Sequence, residues 1–208
     1  MLFLRLDQAL ELLRTCEICE LKVISEKERR EMVLKQKLAV RYPMLNGLSP
    51  MEIVNARIEY LDPVDCELFL PRRHWKNNET ADIDPKTVGL QIIYSGGRKK
   101  GPLLRSHKTK GHFTKAGLWE LTKRIAARTS IHDKEKICPL VLKRTFARLF
   151  LKTPGNTLPA LQKAFGHKHI WSTSHYLRFV LDDVKKEKTR MLERIGDAKT
   201  KSVRQVPR

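Results

Sequence analysis

The sequence predicts a mainly helical α+β fold with a small antiparallel sheet, and three observations carry that expectation. Apolar residues recur at helical spacing toward both ends of the chain. Two strand-like runs, residues 66–70 and 80–83, lie close together in the middle, and Asn77-Asn78 between them suits a hairpin turn. Helices, then strands, then helices is the order of a helical domain with one sheet packed at its side. At 208 residues the chain is long enough for one real core. The expected division is a folded domain over residues 1–183 and a basic C-terminal helix and tail over residues 184–208.

Each element has its own local reason. Leu6, Ala9, Leu10 and Leu13 give the first helix its stripe, expected to run to about residue 21. Ser25 followed by Glu28 is a capping box, so a second helix starts there and is expected to stop at Pro43. Gly47 turns the chain, and Ser49-Pro50 supplies an N-cap and a first-position proline for a third helix, expected to end before Asp62-Pro63. After the two strands, Asp84-Pro85 opens a helix reaching about Tyr94. Residues 95–111 hold Gly96-Gly97 and six basic residues with no acid, which reads as a basic loop. Thr114 caps an amphipathic helix to Ala127 through Leu118, Leu121 and Ile125. Three further helices are expected over residues 140–151, 158–165 and 172–181, then a charged tail, helical to about residue 195 and frayed beyond.

Bulk composition narrows the function. A formal net charge of +19 points to a polyanionic partner, nucleic acid first among them, through phosphate neutralisation and counterion release. A ribosomal or chromatin-type protein satisfies the same charge. The 41% hydrophobic content excludes a long basic disordered chain. Four cysteines include one C-x-x-C, Cys16 and Cys19, without the second pair a zinc site wants, so they read as a buried helix face in a reducing cytoplasm. The spacing of His167, His169 and His175 lacks supporting acidic or cysteine ligands, so no metal and no cofactor is expected. Arg5 and Asp7 interrupt the apolar N-terminus, which is not a signal peptide, and no run approaches a membrane span. The expected setting is cytoplasmic and nucleoid-associated.

Chemistry concentrates between Cys138 and Tyr176. Basic residues at Lys143 and Arg144 are followed by a turn at 153–156, Phe165-Gly166-His167 and, nine residues after the histidine, Tyr176. Cations for a phosphate, a proton donor and an oxygen nucleophile are what phosphoryl transfer needs. The arrangement resembles the catalytic domain of the tyrosine recombinases, the phage-integrase family, over roughly residues 6–179. The family's glycine-leucine-arginine-x-x-glutamate box is matched by Gly47-Leu48-Ser49-Pro50-Met51-Glu52, with Ser49 in the arginine's place. Its hairpin lysine is matched by Lys76. Its proline-histidine-x-leucine-arginine-histidine-threonine-phenylalanine-alanine box reads Pro139 to Ala147 here, with Leu140 for the histidine and Lys143 for the arginine. A one-residue shift instead places Arg144 as the phosphate-binding arginine, and both registers stay open. Phe165-Gly166-His167, Thr173 and Tyr176 match the last box with its spacing intact.

The resemblance implies DNA recombination or integration, with the function of a mobile genetic element. In such chemistry Tyr176 attacks a DNA phosphodiester and forms a 3′-phosphotyrosyl link. Lys76 protonates the leaving 5′-oxygen, His167 moves protons, and the arginine positions clamp the phosphate bidentately, which a lysine cannot reproduce. Ser49 and Leu140 break the set, so catalysis is expected to be weak or absent, and the competing reading is a recombinase-fold DNA-binding protein without efficient strand transfer. Double-stranded DNA is the expected partner, met by Arg72, Arg73, Arg98, Lys99, Lys100, Arg105, Lys108 and Lys110 at phosphates. Trp75 and His74 are candidates for stacking at a groove edge. The family's separate N-terminal helical domain is not expected here, and a helix over residues 181–195 is read either as docking on a neighbouring copy on DNA, as the resemblance implies, or as a solvated terminal helix.

Overall fold

The computed structural model describes residues 3–17, 25–71, 80–106, 109, 111–177, 189 and 191–192. Eight helices and a three-stranded sheet are present among them: α1 Leu6–Thr15, α2 Glu26–Leu45, α3 Pro50–Asn55, β1 Leu61–Asp62, β2 Glu67–Phe69, β3 Thr80–Asp82, α4 Pro85–Ser95, α5 Lys115–Ala127, α6 Pro139–Lys152, α7 Leu158–Phe165 and α8 Ile170–Ser174. Short 3₁₀ turns occupy Ile58–Tyr60, Lys134–Lys136 and His175–Leu177. The expected α+β class with a small antiparallel sheet is the observed one. The proposed boundary between residues 183 and 184 lies outside the described residues.

α2 is the organising helix. It packs against α4, α5 and α6, so its middle is buried on nearly every side: Leu38, Ala39, Val40, Tyr42 and Met44 are all at most 1% exposed. Its capping box forms as the sequence predicts, with Ser25 Oγ accepting from the Glu28 amide and Glu28 Oε2 accepting from Ser25. The expected stop at Pro43 does not occur. The helix continues to Leu45 with Pro43 inside its last turn, where one lost amide donor is tolerable and burial of Tyr42, Pro43 and Met44 holds the turn closed.

Other differences also have tertiary or terminal causes. α1 ends at Thr15, where Thr15 Oγ1 donates to the Glu11 carbonyl and Cys16 Sγ to that of Leu12, and the expected continuation over residues 18–21 lies outside the described residues. Cys16 is buried as expected but sits just past the helix, and Cys19 lies outside the described residues. α3 ends at Asn55 because the following segment is drawn into pairing elsewhere. Ala56 accepts from the Leu103 amide and Ile58 donates to Gly101. The chain then forms β1, a strand too short to show a period in the sequence, which pairs antiparallel with β2 through Leu61↔Leu68. β2 pairs antiparallel with β3 through Leu68↔Ala81, both buried, so one face of the sheet meets the core. Cys66, expected in a strand, stands in a turn with φ +55. The last helix expected over 172–181 begins earlier, at Ile170, and becomes a 3₁₀ turn at His175.

The remaining caps place the site. Asp84 and Thr114 cap α4 and α5 as expected, and Thr157 caps α7. The basic loop after α4 is well tied: Leu103 and Leu104 are buried, and Gln91 Nε2 donates to the Leu103 carbonyl. No helix among the described residues is long and apolar enough to cross a membrane.

Candidate functional site

Three turns bring the candidate residues together. α7 ends at Gly166, whose φ of +65 lets its amide bond Lys163 while the His167 amide bonds Gln162, a closure that needs a left-handed residue. Gly47 precedes α3 at φ +64 and lies so close to α6 and α7 that a Cβ there would sit 2.7 Å from Phe165 Cε1 and 2.9 Å from Phe146. The 3₁₀ turn after α8 carries Tyr176 back over the same region. Phe165, only 1% exposed, is the hub: its ring lies 5.0 Å from Tyr176, 5.1 Å from His167 and 5.6 Å from Phe146.

The titratable groups of the last box are ordered around that ring. His167 Nδ1 and Thr173 Oγ1 are hydrogen-bonded at 2.9 Å, and Thr173 is fully buried, so the imidazole orientation is fixed. The His167 and Tyr176 rings stack at 6.5 Å with a 24° interplanar angle. Burial pushes the Tyr176 phenol above its usual value; the Arg144 guanidinium pulls it down and the Glu52 carboxylate pushes it up. Nucleophilic use of that oxygen therefore requires a proton acceptor at neutral pH.

The two neighbouring cations of α6 have separate environments. Lys143 is 5% exposed, and its Nζ lies 4.3 Å from the centroid of the Phe165 ring, a buried cation–π contact. Arg144 is half-buried and close enough for its charge to act on Tyr176. About 100° of helical rotation separates adjacent positions, which is why one residue of register changes the environment so sharply. Leu140 stands on the first turn of α6, 39% exposed. Ser49 is the N-cap of α3: its hydroxyl accepts from Glu52, and Glu52 Oε2 accepts from the Ser49 amide at 2.7 Å.

The basic loop divides in two. Lys99 and Lys100 are exposed. Arg105 is spent within the fold, its guanidinium pairing with both oxygens of Glu31 at 3.0 and 2.9 Å. Arg98 donates to the Ser95 carbonyl and lies over the Tyr94 ring. Arg72, Arg73, His74, Trp75, Lys76, Lys108 and Lys110 lie outside the described residues. Among the described residues no group of three or more histidine, cysteine or acidic side chains is placed to hold a metal ion.

Two features escaped the sequence reading. Residues 136–181 contain no Asp or Glu, yet carry Lys136, Lys143, Arg144, Arg148, Lys152, Lys163, Lys168 and Arg178. A count of charge by segment finds that run. Phe165 as the point where four elements meet had no such signal, since a phenylalanine before Gly-His looks like any helix-end apolar residue.

Comparison with known proteins places this arrangement. No family model matches the chain. The tyrosine recombinase XerA of Saccharolobus solfataricus is 31% identical over 156 residues, which is 74% of this chain and 49% of that protein. The chain thus spans about half the length of this curated relative. Among solved structures, a XerA recombinase superposes with a TM-score of 0.70 at 16% identity, over 90% of this chain and 63% of the other. The XerH recombinase bound to its difH substrate gives 0.66 at 16% identity, over 89% and 52%. The Tn1549 transposon integrase in complex with a circular intermediate DNA gives 0.64 at 15% identity, over 84% and 60%.

Proposed function

We propose, from the premise that this chain belongs to the tyrosine recombinase family, that it binds double-stranded DNA through the acid-free stretch of residues 136–181 and transfers strands slowly through Tyr176. The packing of Tyr176 and Thr173-oriented His167 on Phe165, with Arg144 near enough for its charge to act on Tyr176, is the observation that carries this reading. The net charge of +19 supplies the attraction to phosphates, and XerH and the Tn1549 integrase were solved bound to DNA.

In the proposed reaction Tyr176 Oη attacks a backbone phosphorus as the phosphorus–O5′ bond breaks, giving a 3′-phosphotyrosyl link and a free 5′-hydroxyl. His167 accepts the phenol proton, Lys76 protonates the departing oxygen, and Arg144 holds a non-bridging oxygen in its planar fork. Lys143 serves as a buried cation beneath Phe165 and leaves the anchoring to its neighbour. Ser49 and Leu140 offer no cationic donor, and each missing preorganised donor lowers the rate by about 10²–10³. Association of copies on DNA through residues 181–195 belongs to the same proposal.

The hydroxyl of Ser49, committed to capping α3, favours the alternative in which the chain only binds. A nicked suicide duplex separates the readings, with the products resolved on a denaturing gel. A slow covalent adduct that Tyr176→Phe abolishes is the expected result. Stable binding without any adduct overturns the strand-transfer part and leaves the binding protein.

A further inference from the structure

Beside the tyrosine cluster, α8 presents an apolar side chain to solvent. Trp171 is 66% exposed and its neighbour Ile170 43%. The indole lies 6.3 Å from the His175 ring, and Lys168 and His169 precede it on the exposed surface. The backbone under it is fixed: Ser174 Oγ donates to the Trp171 carbonyl at 2.7 Å, and the Ser172 amide to His169. The same five-residue helix holds Thr173, the hydrogen-bond partner of His167, and the chain reaches Tyr176 two residues past its end. A large exposed aromatic on a hydrogen-bonded backbone, beside Lys168 and in a stretch of residues 136–181 without an acid, fits an occupant that is negatively charged and carries flat apolar surface. Nucleic acid has both, in its phosphates and in its bases.

We infer that Trp171, assisted by Ile170, contacts bases or sugars of duplex DNA next to the phosphate that Tyr176 addresses, acting as a stacking or wedge residue. This rests on the DNA-binding reading above and adds a part that phosphate contacts cannot supply. Lysine and arginine at phosphates fix position and set the salt dependence, whereas an indole against a base or an opened step adds affinity that salt does not screen. Stacking of one base on an aromatic ring is worth about 1–3 kcal/mol on a single strand, roughly 5- to 150-fold in affinity, and opening a duplex step takes back part of it.

The test uses the full chain and a random-sequence duplex. Trp171→Ala should weaken binding about 5- to 100-fold and leave the slope of log affinity against log salt unchanged, with Trp171→Phe within about threefold of the parent. Lys168→Ala should instead reduce that slope by about one phosphate contact. In a Trp75→Phe/Trp119→Phe background, where Trp171 is the remaining tryptophan, duplex should shield its fluorescence from acrylamide. Duplex bound with Trp171 still fully quenchable, and Trp171→Ala within twofold of the parent, overturns the inference. So does shielding by anionic vesicles with none by DNA. Failure of the unsubstituted chain to bind duplex overturns the DNA-binding reading itself, and shows before any Trp171 variant is compared.

Discussion

Gly47→Ala should destabilise the domain severely, because two separate costs meet at one carbon. The backbone holds φ +64 there, a left-handed conformation that a side-chain-bearing residue adopts at about 1–2 kcal/mol. The new Cβ would also lie 2.7 Å from Phe165 Cε1 and 2.9 Å from Phe146 Cδ1 and Cε1. Those rings cannot simply swing away, since Phe165 is 1% exposed and packed against Tyr176, His167 and Phe146. Overpacking of that kind costs about 1–3 kcal/mol, so the sum is about 2–5 kcal/mol. With a urea slope of about 2 kcal/mol/M, the unfolding midpoint should fall by about 1–2.5 M. Urea titration followed by far-ultraviolet circular dichroism measures it. A double-mutant cycle with Phe165→Leu assigns part of the cause: shortening the ring should relieve the Phe165 contact and leave the backbone cost and the Phe146 contacts, a coupling of about 0.5–1.5 kcal/mol. A loss under 0.5 kcal/mol, or additive single effects, would refute the argument that Gly47 is required by the approach of α7.

Four further outcomes rest on other contacts. Ser49→Ala should cost about 0.5–2 kcal/mol in thermal or urea unfolding through loss of the α3 cap. Ser49→Arg should incur the same loss and raise covalent trapping on a suicide duplex only in a chain measurably less stable; adding Lys143→Arg should bring no further gain, because Lys143 is buried against Phe165, and a gain from it would argue for the register that puts Lys143 in the arginine place. In filter-binding titrations, Lys99→Ala/Lys100→Ala should flatten the salt dependence of DNA affinity by about two phosphate contacts, while Arg105→Ala should leave the slope nearly unchanged, because Arg105 is paired with Glu31. Stability should fall at both pH extremes. Burial raises the Asp84 carboxyl, but the Thr87 hydroxyl and Arg41 outweigh it and the net pKa is lowered, so its contribution is present above the ordinary carboxylate range and lost as pH falls through the folded value. Tyr42, buried and donating to Gln91 at 2.9 Å, has a raised pKa, so its contribution holds below about 10 and is lost as pH rises beyond it. Asp84→Asn and Tyr42→Phe should each flatten their own limb of a Tm-against-pH curve.

What could be read from the chain was local chemistry. Ser25 with Glu28, Ser49 with Glu52, Asp84-Pro85 and Thr114 each satisfy helix-end amides within three residues, so the starts of α2, α3, α4 and α5 were legible. Helix ends set by distant partners were not. Pro43 stays helical because the core closes around it, and α3 stops where Ala56 and Ile58 are claimed by residues 101–103. The candidate site divides along the same line. Gly166, His167, Thr173 and Tyr176 keep a spacing that a short turn and a five-residue helix impose, and they meet as the pattern implies. Lys143 and Arg144 are adjacent in sequence, so spacing could not rank them. Packing does: the lysine stem fits under Phe165 with its charge on the ring face, while the bulkier planar guanidinium of Arg144 remains half-buried near Tyr176. If a phosphate is held at this site, the fork-shaped group that can grip two of its oxygens is Arg144. Replacing it with lysine, which keeps the charge and removes the fork, should then reduce trapping more than it reduces duplex affinity. Equal losses in both would mean that Arg144 acts only as a point charge on the DNA backbone.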